Sequence, residues 1–240
     1  MKSEKLEMIN EKKAVRRMTG NRFVRFAIAA LALMVMLPMA AMAQDIAAGT
    51  VTRTSALSLA AQATDDANAS EGWAWYVDGT TAGGKDYTGK VLVLNNANFV
   101  STSVGIILTL PTNTTIVLIG TNNIECNLTT TGNSGAIYMS DTSSTLTIAG
   151  NGVLTATGAN TTLQSNGIRF NGGGTINITG GTSTFKAGTS GNSNSNGMTG
   201  TLNLTGGTVT AIGENRAMAN NNTVPNGCKY CAMSHVKSNH

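Results

Sequence analysis

The stretch "GTLNLTGGTVTAIG" from Gly200 sets an apolar residue at every second place, breaks at Gly206-Gly207 and resumes the alternation. The phrase returns upstream as "GTINITGGTSTFKAG" from Gly174, "STLTIAGNGVLTATG" from Ser144 and, more faintly, "TTIVLIGTNNIECN" from Thr114. A hairpin would explain one copy. Four copies in phase require a repeat architecture. Gly120, Gly150, Gly180 and Gly206 are spaced 30, 30 and 26 residues apart, and a second ladder, Gly105, Gly135, Gly167 and Gly197, is spaced 30, 32 and 30.

The apolar phase is held between these markers. Ile116/Leu118, Leu146/Ile148, Ile176/Ile178 and Leu202/Leu204 precede the first ladder, and residues i and i+2 of a strand share a face, so these pairs form one inward column. Val117, Thr147, Asn177 and Asn203 between them are expected to face out. Ile124/Cys126, Leu154/Ala156, Ser183/Phe185 and Val209/Ala211 form a second column. Ile106/Leu108, Ala136/Tyr138 and Ile168/Phe170 form a third, continued by Met198. Cys126 then falls where Ala156 and Ala211 stand in later copies and reads as a buried small hydrophobe. Three short strands per period describe a coil of an all-β, parallel β-helix (solenoid) of about four to five coils, right-handed by the rule for parallel crossovers. Gly-Gly and Asn-Gly pairs turn the corners, where positive φ is needed. A β-sandwich also uses short strands and Gly turns, but it gives no reason for columns locked at this period.

The N-terminus is of another kind. Lys2, Lys5, Lys12, Lys13, Arg16, Arg17, Arg22 and Arg25 precede the apolar run "AIAALALMVMLPMAAMA", which ends in Ala41-Met42-Ala43. A basic stretch, an apolar stretch and a small-x-small exit make residues 1–43 a signal peptide, beginning with a signal helix. The leader holds eight of the 16 Lys and Arg residues. Without it, eight basic and nine acidic residues remain, a net charge of −1. The basic balance of the whole chain therefore belongs to the leader, and neither nucleic acid nor, after cleavage, a membrane is an expected partner. Residues 44–70 show no strand alternation and read as a linker or N-terminal cap, with a capping helix through "ALSLAAQA". The β-helix domain is placed at 71–218 and a tail at 219–240.

"GWAWYVDG" from Gly72 brings Trp73 and Trp75 just ahead of "KVLVLNNANF". These aromatics fit a hydrophobic cap on the first coil, with a sugar-stacking platform as the alternative. Together with "TLTIAGNGVLTATG", "NGIRFNGGGTINITGG", "GTLNLTGGTVTAIGENRAM" and the closing "TVPNG", these stretches resemble the secreted β-helix proteins of gut and anaerobic bacteria labelled carbohydrate-binding domain-containing proteins. The resemblance covers roughly residues 72 to 227. It implies extracellular carbohydrate binding and brings no signature residues with it.

Catalysis finds little support in the sequence. Glycoside hydrolysis usually needs two carboxylates at a set separation, yet from position 91 onward the acidic residues are Glu125, Asp141 and Glu214, at unrelated positions. Arg169 is expected outside, between Ile137 and Thr199. Thr155/Thr157 and Thr208/Thr210 have the Thr-x-Thr step of ice-binding solenoids, but stacking Thr155/Thr157 on Glu125/Asn127, Thr184/Lys186 and Thr210/Ile212 breaks that ladder with charge. In the tail, Cys228, Cys231, His235 and His240 are zinc-competent, but the short Cys231–His235 gap favours a frayed end or a Cys228–Cys231 disulfide, so no cofactor or metal is expected.

The corner loops offer a better surface. "LTTTGNS" from Leu128, "TGANTTLQSN" from Thr157 and "GTSGNSNSNG" from Gly188 all join second strands to third strands and should stack along one side. Asn133, Asn160, Gln164, Asn166, Asn192, Asn194 and Asn196 supply amides there, with Trp73 and Trp75 as the aromatic candidates. Neutral amides and hydroxyls suit a neutral poly- or oligosaccharide, because they pair with its hydroxyls without desolvating a charge. The expected function is thus secreted or cell-surface, non-catalytic carbohydrate binding or adhesion. The alternatives are a structural stalk, then a polysaccharide-active enzyme, then ice binding.

Overall fold

The computed structural model describes residues 50–189, 195–214, 216–219 and 231–235. The basic leader and the expected signal helix lie outside the described residues. The described chain is all β except for one 3-10 turn, Ala69–Glu71. Its N-terminal part supplies β1 (Thr50–Thr52), β2 (Leu57–Ser58), β3 (Asp66–Asn68), β4 (Trp73–Tyr76), β5 (Thr80–Ala82) and β6 (Lys85–Tyr87). The first coil then comprises β7 (Lys90–Asn95), β8 (Asn98–Ser101) and β9 (Ile106–Leu110). The second comprises β10 (Thr114–Ile119), β11 (Thr121–Cys126), a short β12 (Thr129–Thr130) and β13 (Gly135–Met139). The third comprises β14 (Ser144–Gly150), β15 (Val153–Thr157), a short β16 (Asn160–Thr161) and β17 (Asn166–Phe170). Later coils fuse their first two strands, as β18 (Gly174–Lys186) with β19 (Asn196–Thr199), and β20 (Thr201–Gly213) with β21 (Arg216–Ala219). β22 (Cys231–His235) follows.

Equivalent strands pair in parallel along a β-solenoid of about four turns with three faces. On the first face, Leu92, Ile116, Ile148, Ile178 and Leu204 stack inward. On the second, Phe99, Ile124, Ala156, Phe185 and Ala211 do so, with small side chains beside large ones. On the third, Leu57, Leu108, Ile137, Ile168, Met198 and Met218 form the column. These residues join one core. Full burial of each large apolar side chain contributes roughly 1.5–3 kcal/mol, which a coil gains only when a neighbour covers it.

The registers differ from the glycine alignment in two ways. Between the second and third coils the first two faces slip by two residues, so Ile116 meets Ile148 and Ile124 meets Ala156. The cause is the corner Gly150-Asn151-Gly152. The Val153 N–H bonds the Gly120 carbonyl at 2.7 Å, which makes Gly152, not Gly150, the partner of Gly120. A slip of two keeps each side chain on its face. The third face shifts by one, and a shift of one exchanges faces: Ile137 and Met139 point inward, while Tyr138 turns out beside Arg169. The second glycine ladder marks close approach. A Cβ on Gly167 would lie 2.5 Å from the Lys186 nitrogen and 2.6 Å from the Ala156 oxygen.

Other expectations are corrected as well. Cys126 is buried, but its neighbour is Ser101 rather than Ala156. Val117 points away from the solenoid interior yet is fully buried, because the β5–β6 hairpin covers it. Tyr76, Ala82, Val91, Val93 and Val117 form a small second core there. The described residues 50–70 form short strands, and no helix runs through "ALSLAAQA". β1 and β2 extend the second and third faces, while β3 pairs antiparallel with β4. Within the expected tail, β22 lies parallel to the second half of β20, with Cys231 opposite Val209 and His235 opposite Gly213. Cys228 and His240 lie outside the described residues.

At the N-terminal end, β4 runs antiparallel over β7 and brings Trp73 opposite Leu94 and Trp75 opposite Leu92. Glu71 ties this cap together. Its Oε2 accepts from the Trp73 indole N–H at 2.8 Å and from Arg53 at 2.6 Å, and Arg53 lies 5.6 Å from the centre of the Phe99 ring. Reversing strand direction ends the parallel stack on a short strand.

Candidate functional site

The second-to-third-strand corners do stack, and a serine in each coil holds them. Ser134 Oγ accepts the Ala159 N–H at 3.1 Å, Ser165 Oγ accepts the Gly188 N–H at 2.8 Å, and Ser195 Oγ accepts the Ser165 N–H at 3.1 Å. Each hydroxyl satisfies a backbone donor of a neighbouring loop that would otherwise be buried unpaired, a loss of about 1–3 kcal/mol. β12 pairs with β16, and the Asn160 side-chain oxygen accepts the Thr189 N–H at 2.8 Å.

This packing divides the amide candidates. Asn133 and Asn160 are exposed and Gln164 is half-buried, so these three can meet a ligand. Asn166 and Asn196 are buried. Asn166 Nδ2 donates to the Ser134 carbonyl at 3.4 Å, a bond inside the stack. Asn192 and Asn194 lie outside the described residues. Trp73 is 7 % exposed and Trp75 0 %, so neither ring offers a face to a sugar; both serve the cap.

Below the ridge, the second face carries a continuous outward row of Thr50, Asn98, Asn123, Thr155, Thr184 and Thr210. Asn123, not Glu125, is the neighbour of Thr155, so this row carries no charge. Its amides are aligned: Asn98 donates to Thr50 Oγ1 at 2.8 Å, and Asn123 donates to Asn98 Oδ1 at 3.1 Å. The next row is mixed, running Thr52, Val100, Glu125, Thr157, Lys186 and Ile212. Neither glycine ladder predicts the uncharged row; the pairing of "NNIEC" with "LTAT" through Ile124 and Ala156 does.

Glu125 and Asp141 stand apart. Glu125 stands on the second face, where Asn123 Nδ2 reaches it at 3.5 Å. Asp141 lies at the corner after the third face, where its Oδ2 accepts the Thr112 N–H at 2.8 Å. Among the described residues, no three His, Cys, Asp or Glu side chains gather into a metal-binding group. The row from Thr50 to Thr210 offers neutral hydroxyls and amides, and the row beside it adds Glu125 and Lys186. Set against known protein families, curated proteins and solved structures, the chain matches none of them.

Proposed function

We propose that the protein is an exported, non-catalytic carbohydrate-binding or adhesion module that takes a neutral poly- or oligosaccharide along its second face and the adjoining corner ridge. The observation that carries this reading is the uncharged row from Thr50 to Thr210, with Asn133, Asn160 and Gln164 exposed or half-exposed on the ridge nearby. Hydroxyls and amides at strand spacing can exchange hydrogen bonds with sugar hydroxyls without stripping water from a charge. The leader supports export. The resemblance to secreted β-helix proteins labelled as carbohydrate-binding supports the ligand class.

Native gels cast with neutral polysaccharides test the reading. Retardation of the wild type is expected, with loss on combined replacement of Asn123, Asn133, Asn160 and Gln164 by Ala, while thermal unfolding stays within a few degrees. Unretarded migration in every neutral glycan would favour a structural stalk. One observation belongs to that second reading: Asn98, Asn123, Asn177 and Asn203 spend amide hydrogen bonds on row neighbours, as a self-bracing stalk would.

A further inference from the structure

The third face carries an outward row in which an arginine stacks beside an aromatic ring. Ser58, Thr109, Tyr138 and Arg169 stand in one outward row, and the Arg169 guanidinium lies 5.5 Å from the centre of the Tyr138 ring. Both side chains are half-buried. Among the described residues Arg169 has no ion-pair partner. Asp141, two residues past the end of β13, is engaged with the Thr112 N–H at 2.8 Å and the Ser140 hydroxyl at 3.4 Å. The stack on Tyr138 holds the guanidinium in place and leaves its fork of donors unspent. On the other side of Tyr138 the row neighbour is Thr109, too short to cover an aromatic ring.

The geometry points to a second binding site on this face, for a uronic-acid-bearing glycan. Arg169 takes the carboxylate with two parallel N–H···O bonds, and the neighbouring sugar unit lies against the Tyr138 ring on its Thr109 side. A planar guanidinium matches a carboxylate in shape and charge. An apolar ring face matches the C–H face of a pyranose. The two residues sit one strand apart, about 4.8 Å, so an extended chain running along the solenoid axis meets them in succession. This site is independent of the neutral face proposed above.

Gel retardation by polygalacturonate, with dextran sulfate as a second anion, tests it on the purified protein. Wild-type protein is expected to be retarded by polygalacturonate. Arg169→Gln should weaken binding at least tenfold, Arg169→Lys should restore only part of it, Tyr138→Phe should leave it intact, and Tyr138→Leu should weaken it severalfold. Thermal unfolding of each variant reports folding, and Arg169→Lys carries the test if Arg169→Gln unfolds. The combined Asn123/Asn133/Asn160/Gln164 variant should still bind polygalacturonate, which separates this site from the neutral face. Absence of wild-type retardation, or wild-type binding by Arg169→Gln, would overturn the assignment. So would equal retardation by dextran sulfate with no effect of Tyr138→Leu, since that pattern marks attraction to any polyanion.

Discussion

Gly150 shows how little room a corner of this solenoid leaves. Its φ is +95°, and a Cβ there would lie 2.3 Å from the Leu118 oxygen and 2.8 Å from the Leu118 nitrogen. Both atoms are backbone and neither can yield. Gly150→Ala is therefore expected to lower stability by more than about 2 kcal/mol, combining left-handed strain with displacement of a neighbouring strand. Gly173 is the control. Its φ is +120° but nothing lies within 4 Å of the added carbon, so Gly173→Ala should show the strain alone. Denaturation midpoints at constant m-value separate the two. Cys126 makes a different prediction at the same scale. Burial, then the Glu125 charge, pushes its thiol up to about 12. Because the folded value is raised, the native state keeps the proton that the unfolded chain releases near pH 8.5. The stabilisation is full below that pH, declines as pH rises above it and is gone beyond the folded value. Cys126→Ala should flatten the alkaline decline of the melting temperature, and the native thiol should resist alkylation until the protein unfolds.

Among the elements, the β5–β6 hairpin is the one whose loss would change behaviour most. It covers Val91, Val93 and Val117, which otherwise form an apolar patch on the outside of the first face. Replacing residues 80–87 with a Gly-Ser link should leave the coils stacked, as judged by circular dichroism, but produce association visible by light scattering. Monomeric behaviour of that variant would show that the hairpin is not needed as a cover. This element also marks the limit of what the sequence discloses. The inward positions of the first two faces were readable because apolar alternation survives a slip of two. The register was not, because Gly150-Asn151-Gly152 offers two glycines for one corner. On the third face, aligning Gly135 with Gly167 exchanges Ile137 and Tyr138, whereas aligning Ile137/Met139 with Ile168/Phe170 places both correctly. The site was less legible than the fold. Asn160 and Asn166 are the same letter six residues apart, yet one is exposed and the other packed among serines, and only the depth of the corner decides which. The strands in 50–70 are two or three residues long, too short to show a period.

The described coils form a stack, and their exterior inherits the spacing of the backbone. The row from Thr50 to Thr210 places six short polar side chains on six successive strands, about 24 Å from end to end at about 4.8 Å per strand. If the neutral-glycan reading holds, affinity should rise with oligosaccharide length until the ligand spans that distance, as a calorimetric length series would record. A plateau at one or two sugar units would contradict it and indicate a single compact pocket. A row of this kind also has no privileged starting point. A polymer lying on it can advance by one rung and find nearly the same partners, so each bound chain has several interchangeable placements rather than one. Those placements add their statistical weights, which favours long chains over short ones without any stronger contact. On that reading they would also let a chain creep along the surface between rungs instead of leaving it, a durable grip built from hydrogen bonds that are each weak.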